Sequence, residues 1–78
     1  GRPERLRPAI LSVPLDVRSR AGTVLFADMV TLTPGTTSLD VSADGRTLYV
    51  HVLHAPDHAE AVAGMKSTLE LRAREVLP

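Results

Sequence analysis

The stretch TLTPGT, Thr31–Thr36, decides how the chain is laid out. On one side lies a mostly apolar run, RAGTVLFADMVTL (Arg20–Leu32), and on the other an alternating one, TTSLDVS (Thr36–Ser42). Three threonine hydroxyls around a Pro-Gly pair could belong to a loop for cations or phosphate, or to a corner. A phosphate cradle wants several glycines and a following helix N-terminus, whereas here a strand pattern follows. Every residue in the motif has a backbone reason to be there. Thr33 precedes proline, which disfavours the α region and ends a helix. Pro34-Gly35 suits the centre of a type II turn, with glycine supplying the positive φ. The motif reads as a corner.

Outward from the corner, Ser19 is a candidate N-cap for a helix over 20–32. Ala21, Leu25, Met29 and Leu32 make one apolar stripe, and Val24, Phe26 and Val30 cover much of the remainder. Asp28 is its only charge after Arg20. A helix apolar on so many sides needs cover on more than one of them. In the strand that follows, Thr37, Leu39 and Val41 alternate with Ser38 and Asp40. SADGR then carries Asp44-Gly45, a short-range hairpin signal. Beyond it, TLYVHVLH places Leu48, Val50 and Val52 on one face and Tyr49, His51 and Leu53 on the other.

Upstream, AILSVPLDV alternates, with Leu11, Val13, Leu15 and Val17 facing one way and Ile10, Ser12, Pro14 and Asp16 the other. Pro14 has no N–H, which predicts an edge strand with position 14 turned outward. Residues 1–8, GRPERLRP, read as a basic arm or linker, and 9–78 as one small domain. Downstream, Asp57 and Glu60 form a capping box for a terminal helix. Ala59, Val62, Met65, Leu69, Ala73 and Val76 are its predicted stripe, with Lys66, Glu70, Arg72, Arg74 and Glu75 predicted to be solvated.

The order strand, helix, strand, strand, helix predicts an α+β fold, β-α-β-β-α. Its three-stranded mixed sheet would have order 1-3-2 and both helices on one face. That is a ferredoxin-like arrangement lacking its last strand; order 1-2-3 satisfies the same handedness rule.

Bulk properties narrow the function. Seventy-eight residues make one domain, of a size that buries about 60% of the surface its unfolded chain exposes. Nine basic and nine acidic side chains cancel, so no net field draws phosphate or membrane. The only aromatics are Phe26 and Tyr49, too few for a base-stacking nucleic-acid module. There is no cysteine, no run of ~20 apolar residues and no signal peptide. By itself the chain reads as a soluble cytoplasmic domain. Its first residue is Gly rather than Met, which fits a piece of something longer.

His51, His54 and His58 crowd together beside Asp57, but strand alternation puts His51 and His54 on opposite faces, so no metal site is expected. No serine or threonine has a nucleophile elbow or a His and Asp arranged around it. The expectation is no catalytic residue, no cofactor and no metal. The named positions are then structural (Thr33, Pro34, Gly35, Asp44 and Gly45) or candidates for a docking surface: Ile10, Val24, Phe26, Val30, Tyr49 and Leu53.

The segments VPLDVRS (Val13–Ser19), ADMVTLTPGTTSLDV (Ala27–Val41) and LYVHVL (Leu48–Leu53) resemble the cytoplasmic C-terminal domain of the E subunit of multisubunit Na⁺/H⁺ antiporters. The likeness runs over about residues 8–77. Two positions depart from the family pattern: Asp28 where Asn is usual, and His54 where Asp is usual. The resemblance implies a membrane protein whose transmembrane helices precede this segment, with the basic arm as juxtamembrane link on the cytoplasmic side of the cell membrane. It also implies an accessory or assembly role beside the other antiporter subunits, with no ion pathway in this domain. The alternative is a free-standing ferredoxin-like ligand-binding or regulatory module that dimerises through its sheet.

Overall fold

The structure, a computed structural model, describes residues 6–77; most of the expected basic arm, residues 1–5, lies outside them. The elements are β1 (Ala9–Pro14), α1 (Arg20–Leu32), β2 (Thr36–Val41), β3 (Thr47–Val52), α2 (His58–Met65), a π-helical turn (Lys66–Glu70) and α3 (Leu71–Val76). The sheet has the predicted order β1-β3-β2. Both hydrogen-bonded pairs are antiparallel. The sheet is therefore antiparallel rather than mixed as expected: β1 and β2 run the same way, but β3 lies between them and they form no pair.

The corner is built as its residues dictate. The Thr36 N–H donates to the Thr33 carbonyl at 3.2 Å, and Gly35 sits at φ 80, so Pro34-Gly35 form a type II turn. The hydroxyls have a structural role. A helix leaves its last four carbonyls without partners. Thr33 Oγ1 donates to the Met29 carbonyl at 3.1 Å, and the single Thr36 hydroxyl is shared between the carbonyls of Val30 and Thr33. Ser38 Oγ reaches further into the helix, to the Ala27 carbonyl at 2.8 Å. At the other end of α1, Ser19 Oγ accepts from the Gly22 N–H at 2.9 Å. In the hairpin, the Gly45 N–H donates to the Ser42 carbonyl at 2.9 Å. Ala43-Asp44 are thus the central turn residues, and Gly45 follows them at φ 74.

Leu11, Val13, Val17, Leu48, Val50 and Val52 from one sheet face meet Phe26 and Val30 of α1 and Ala73 of α3 in the core. The structure corrects three expectations drawn from pattern. On α1 the buried line is Gly22, Phe26 and Val30, spaced i, i+4, rather than the stripe through Ala21 and Leu32, both exposed. In β2 the register slips between Ser38 and Asp40. Leu39 is the extra residue of a bulge and is exposed, while Thr36, Ser38 and Val41 are half-buried. In the terminal helix the π turn adds a residue, closed by the Leu71 N–H on the Lys66 carbonyl. Glu70 consequently turns inward, and Val76 ends exposed.

Replacing Gly35 by Val forces a β-branched residue into positive φ and should lower stability by about 1 kcal/mol or more. Chemical denaturation of the variant beside the parent chain checks this; equal midpoints would contradict the turn assignment.

Candidate functional site

Two features stand out from the structural background: a buried charged cluster on the covered side of the sheet, and an uncovered apolar face on the other.

The cluster centres on Glu70, 2% exposed. Its Oε2 accepts the N–H groups of Asp16 at 2.6 Å and Val17 at 3.1 Å. Lys66 Nζ donates to its Oε1 at 2.7 Å. Lys66 also reaches Asp16 Oδ2 at 2.8 Å and the Pro14 carbonyl. A carboxylate is buried at acceptable cost only when paired and hydrogen-bonded on both oxygens, and here it is. The cluster ties the terminal helix to the chain between β1 and α1. Periodicity alone places Lys66 and Glu70 on a solvated face; the π turn and the unpaired N–H groups at 16 and 17 reverse that.

Burial disfavours the Lys66 ammonium, but hydrogen bonds and charge from Asp16 and Glu70 outweigh it and raise its pKa above the ordinary 10.5. The Lys66 hydrogen bond and charge hold Asp16 below the ordinary 3.8. A raised lysine contributes stability that is present below pH 10.5 and lost as pH climbs through the folded value. A lowered aspartate contributes stability present above pH 3.8 and lost as pH falls through the folded value. Asp44 is likewise held low, by Ser42 Oγ at 2.6 Å and the Arg46 N–H at 3.0 Å, and serves the turn.

No polar side-chain atom buried among the described residues lacks a partner. Among the described residues no three His, Cys, Asp or Glu side chains gather as a metal site would require. His54 Nδ1 accepts the Arg7 N–H at 3.0 Å, and the Ala55 N–H donates to the Arg7 carbonyl at 2.7 Å. The last residues of the expected arm therefore lie along the end of β3 as an extension of β1. Asp28 is exposed on α1.

The uncovered face is the other side of the sheet. Both helices pack on the core side, so Ile10 at 64%, Leu53 at 49% and Tyr49 at 36% exposure stand in water. Ile10 pairs with His51, and Ser12 with Tyr49, which puts these side chains on one surface. Leu39, pushed out by the bulge, adds a further exposed apolar side chain. Of the α1 candidates, only Val24 is exposed; Phe26 and Val30 are at 0%, so they belong to the core and drop out of the surface. Periodicity alone cannot say which of several apolar stripes a small sheet will cover.

What these features define is a small one-sided α+β domain, with a satisfied interior and an apolar sheet face open to solvent. The chain belongs to the MNHE family, Na⁺/H⁺ ion antiporter subunit, whose model matches residues 1–76. It is 31% identical over 71 residues to the Na⁺/H⁺ antiporter E subunit of Alkalihalophilus pseudofirmus, across 91% of this chain and 45% of the relative. The Na⁺/H⁺ antiporter E1 subunit of Staphylococcus haemolyticus is 39% identical over 61 residues, across 78% of this chain and 38% of that one. The chain thus spans less than half the length of these relatives. A chain in the structure of the Mrp complex from Dietzia sp. superposes with a TM-score of 0.79 at 25% identity, covering 92% of this chain and 68% of that chain. The two sequence relatives are subunits of Na⁺/H⁺ antiporters.

Glu70→Ala should cost about 3 kcal/mol, since it strands two amides and the Lys66 ammonium; Asp16→Asn, on the exposed side, should cost far less. Denaturation at neutral pH measures both. Lys66→Met should also flatten the decline in stability above pH 10.5. An unchanged alkaline limb would show that Lys66 does not hold the cluster.

Proposed function

We propose that this chain is the accessory domain through which a subunit of a multisubunit Na⁺/H⁺ antiporter docks on its neighbours at the cytoplasmic side of the membrane. The observation that carries the reading is the sheet face bearing Ile10, Tyr49 and Leu53, exposed although the opposite face is fully packed. Large exposed apolar side chains gathered on one face, here interspersed with Ser12, Thr37 and His51, are the kind of surface an interaction site uses. Its aromatic and branched side chains are the types that fill the centre of interfaces.

Membership of the antiporter-subunit family supplies the partners: the other subunits of the same assembly. The arm residues Arg2, Arg5 and Arg7 support the cytoplasmic side, because basic residues near a membrane span stay inside. No helix among the described residues is long and apolar enough to cross a membrane; the spanning segments belong to the rest of the subunit. The buried cluster gives this domain its rigidity and takes no part in ion transfer. Lys66 and Glu70 hold each other, the Asp16 carboxylate and backbone groups.

Placing Tyr49→Glu or Val24→Glu in the complete subunit tests the reading. Both positions are exposed, so the isolated 78-residue chain should stay within about 0.5 kcal/mol of the parent in stability. In an antiporter-deficient strain, the Tyr49 variant should lose co-purification with the other subunits and lower Na⁺ resistance. Undiminished assembly and resistance with both variants would overturn the docking role.

A further inference from the structure

The two edges of the sheet are finished differently. On β2, the outward N–H groups are taken within the molecule: Thr36 by the Thr33 carbonyl at 3.2 Å, Ser38 by Thr31 Oγ1 at 3.1 Å and Val41 by Asp40 Oδ1 at 2.8 Å. The bulge at Leu39 breaks the row as well. That edge is blunted.

β1 is not. The Leu15 N–H donates to the Arg46 carbonyl, and antiparallel bonding alternates, so residues 9, 11, 13 and 15 face β3. Positions 8, 10, 12 and 14 face away from it. Of these, Pro8 and Pro14 have no N–H, and the Pro14 carbonyl already accepts from Lys66. Among the described residues, none takes up the backbone donors and acceptors of Ile10 and Ser12 on the open edge. Beside this edge runs an open groove lined by Ile10, Ser12, Ala59, Val62 and Ala63. Although rich in Ala, Val and Met, α2 buries none of its residues.

We infer that the free edge of β1 pairs with β1 of a second copy of this chain, joining two sheets into one of six strands. The edge is self-complementary about Leu11. With antiparallel copies related by a two-fold axis there, Ile10 lies opposite the partner's Ser12, and each pair exchanges two backbone hydrogen bonds. Pro8 and Pro14 are equidistant from Leu11, so each proline meets a proline and no donor is stranded. The prolines thereby end the ladder at four bonds and reject any shifted register, which would set a proline against an N–H or carbonyl that needs a partner. Overhead, the small side chains of Ala59 and Ala63 let the two α2 helices approach at the short end of helix-packing distances, ~8 Å. The half-covered face of α2 is then enclosed. This interface uses the backbone of Ile10 and Ser12 along the edge, whereas the proposed docking uses the Ile10, Tyr49 and Leu53 side chains on the outer face.

Sedimentation equilibrium on the 78-residue chain is the test, with Ser12→Pro as the variant. Position 12 faces away from β3, so this change leaves the β1–β3 ladder whole while removing one donor per copy. The parent chain should dimerise reversibly below about 1 mM, and Ser12→Pro should weaken association at least about tenfold. Tyr49→Glu should leave it unchanged. If Ser12→Pro fails to fold by circular dichroism, amide exchange on the parent chain decides. The Ile10 and Ser12 amides must then become protected as concentration rises. A chain that stays monomeric at about 1 mM, or a dimer in which these amides still exchange freely, would overturn the proposal. So would a dimer lost with Tyr49→Glu but kept with Ser12→Pro, which would assign self-association to the outer face.

Discussion

A buried carboxylate fixes the layout of this domain. Glu70 receives the N–H groups of Asp16 and Val17 and the Lys66 ammonium, binding the terminal helix to the start of the crossover 53 and 54 residues away in sequence. A chain this small has few apolar contacts to spare, and a buried charge that loses its partner is strongly destabilising. Once the helix is held there, Ala73 completes the core beside Phe26 and Val30, and both helices are committed to one sheet face. The other face is left bare.

How far the sequence discloses this depends on the range of each interaction. The corner at 31–36 is legible because its causes are local: proline sets the end of the helix, glycine the turn, and neighbouring hydroxyls the carbonyls. Pro14 marks β1 as an edge strand, and its missing donor does face the open edge. Orders 1-3-2 and 1-2-3 both put β1 there, and the long-range pairing of β1 with β3 decides between them. Leu39 is different. Nothing in TTSLDVS marks the extra residue, since a bulge is a property of the pair and only the slip against Val50 and Tyr49 reveals it. Glu70 is hidden for the same reason. On an ideal helix it falls among charged neighbours; its burial is set by a π turn and by amides distant in sequence. Phe26 and Val30 pass for docking residues in the sequence because α1 has more apolar faces than the sheet has room for.

Family membership and geometry support each other without overlapping. The match places the chain in a family of Na⁺/H⁺ antiporter subunits. The exposed Ile10, Tyr49 and Leu53 offer a physical reason for company: a domain of 78 residues that leaves apolar side chains in water forgoes stabilisation of roughly 25 cal/mol per Å². Among the described residues the buried polar side-chain atoms all have partners within the domain.

The most direct test of this one-sided architecture is radical footprinting of Tyr49 and Leu53, compared between the isolated chain and the same chain within the assembled antiporter. Both side chains should label readily in the isolated domain and become strongly protected in the complex, while Val24 on the helical side changes less. Equal labelling of Tyr49 and Leu53 in the two states would mean that the bare sheet face meets no partner, and the docking role would be contradicted at its centre.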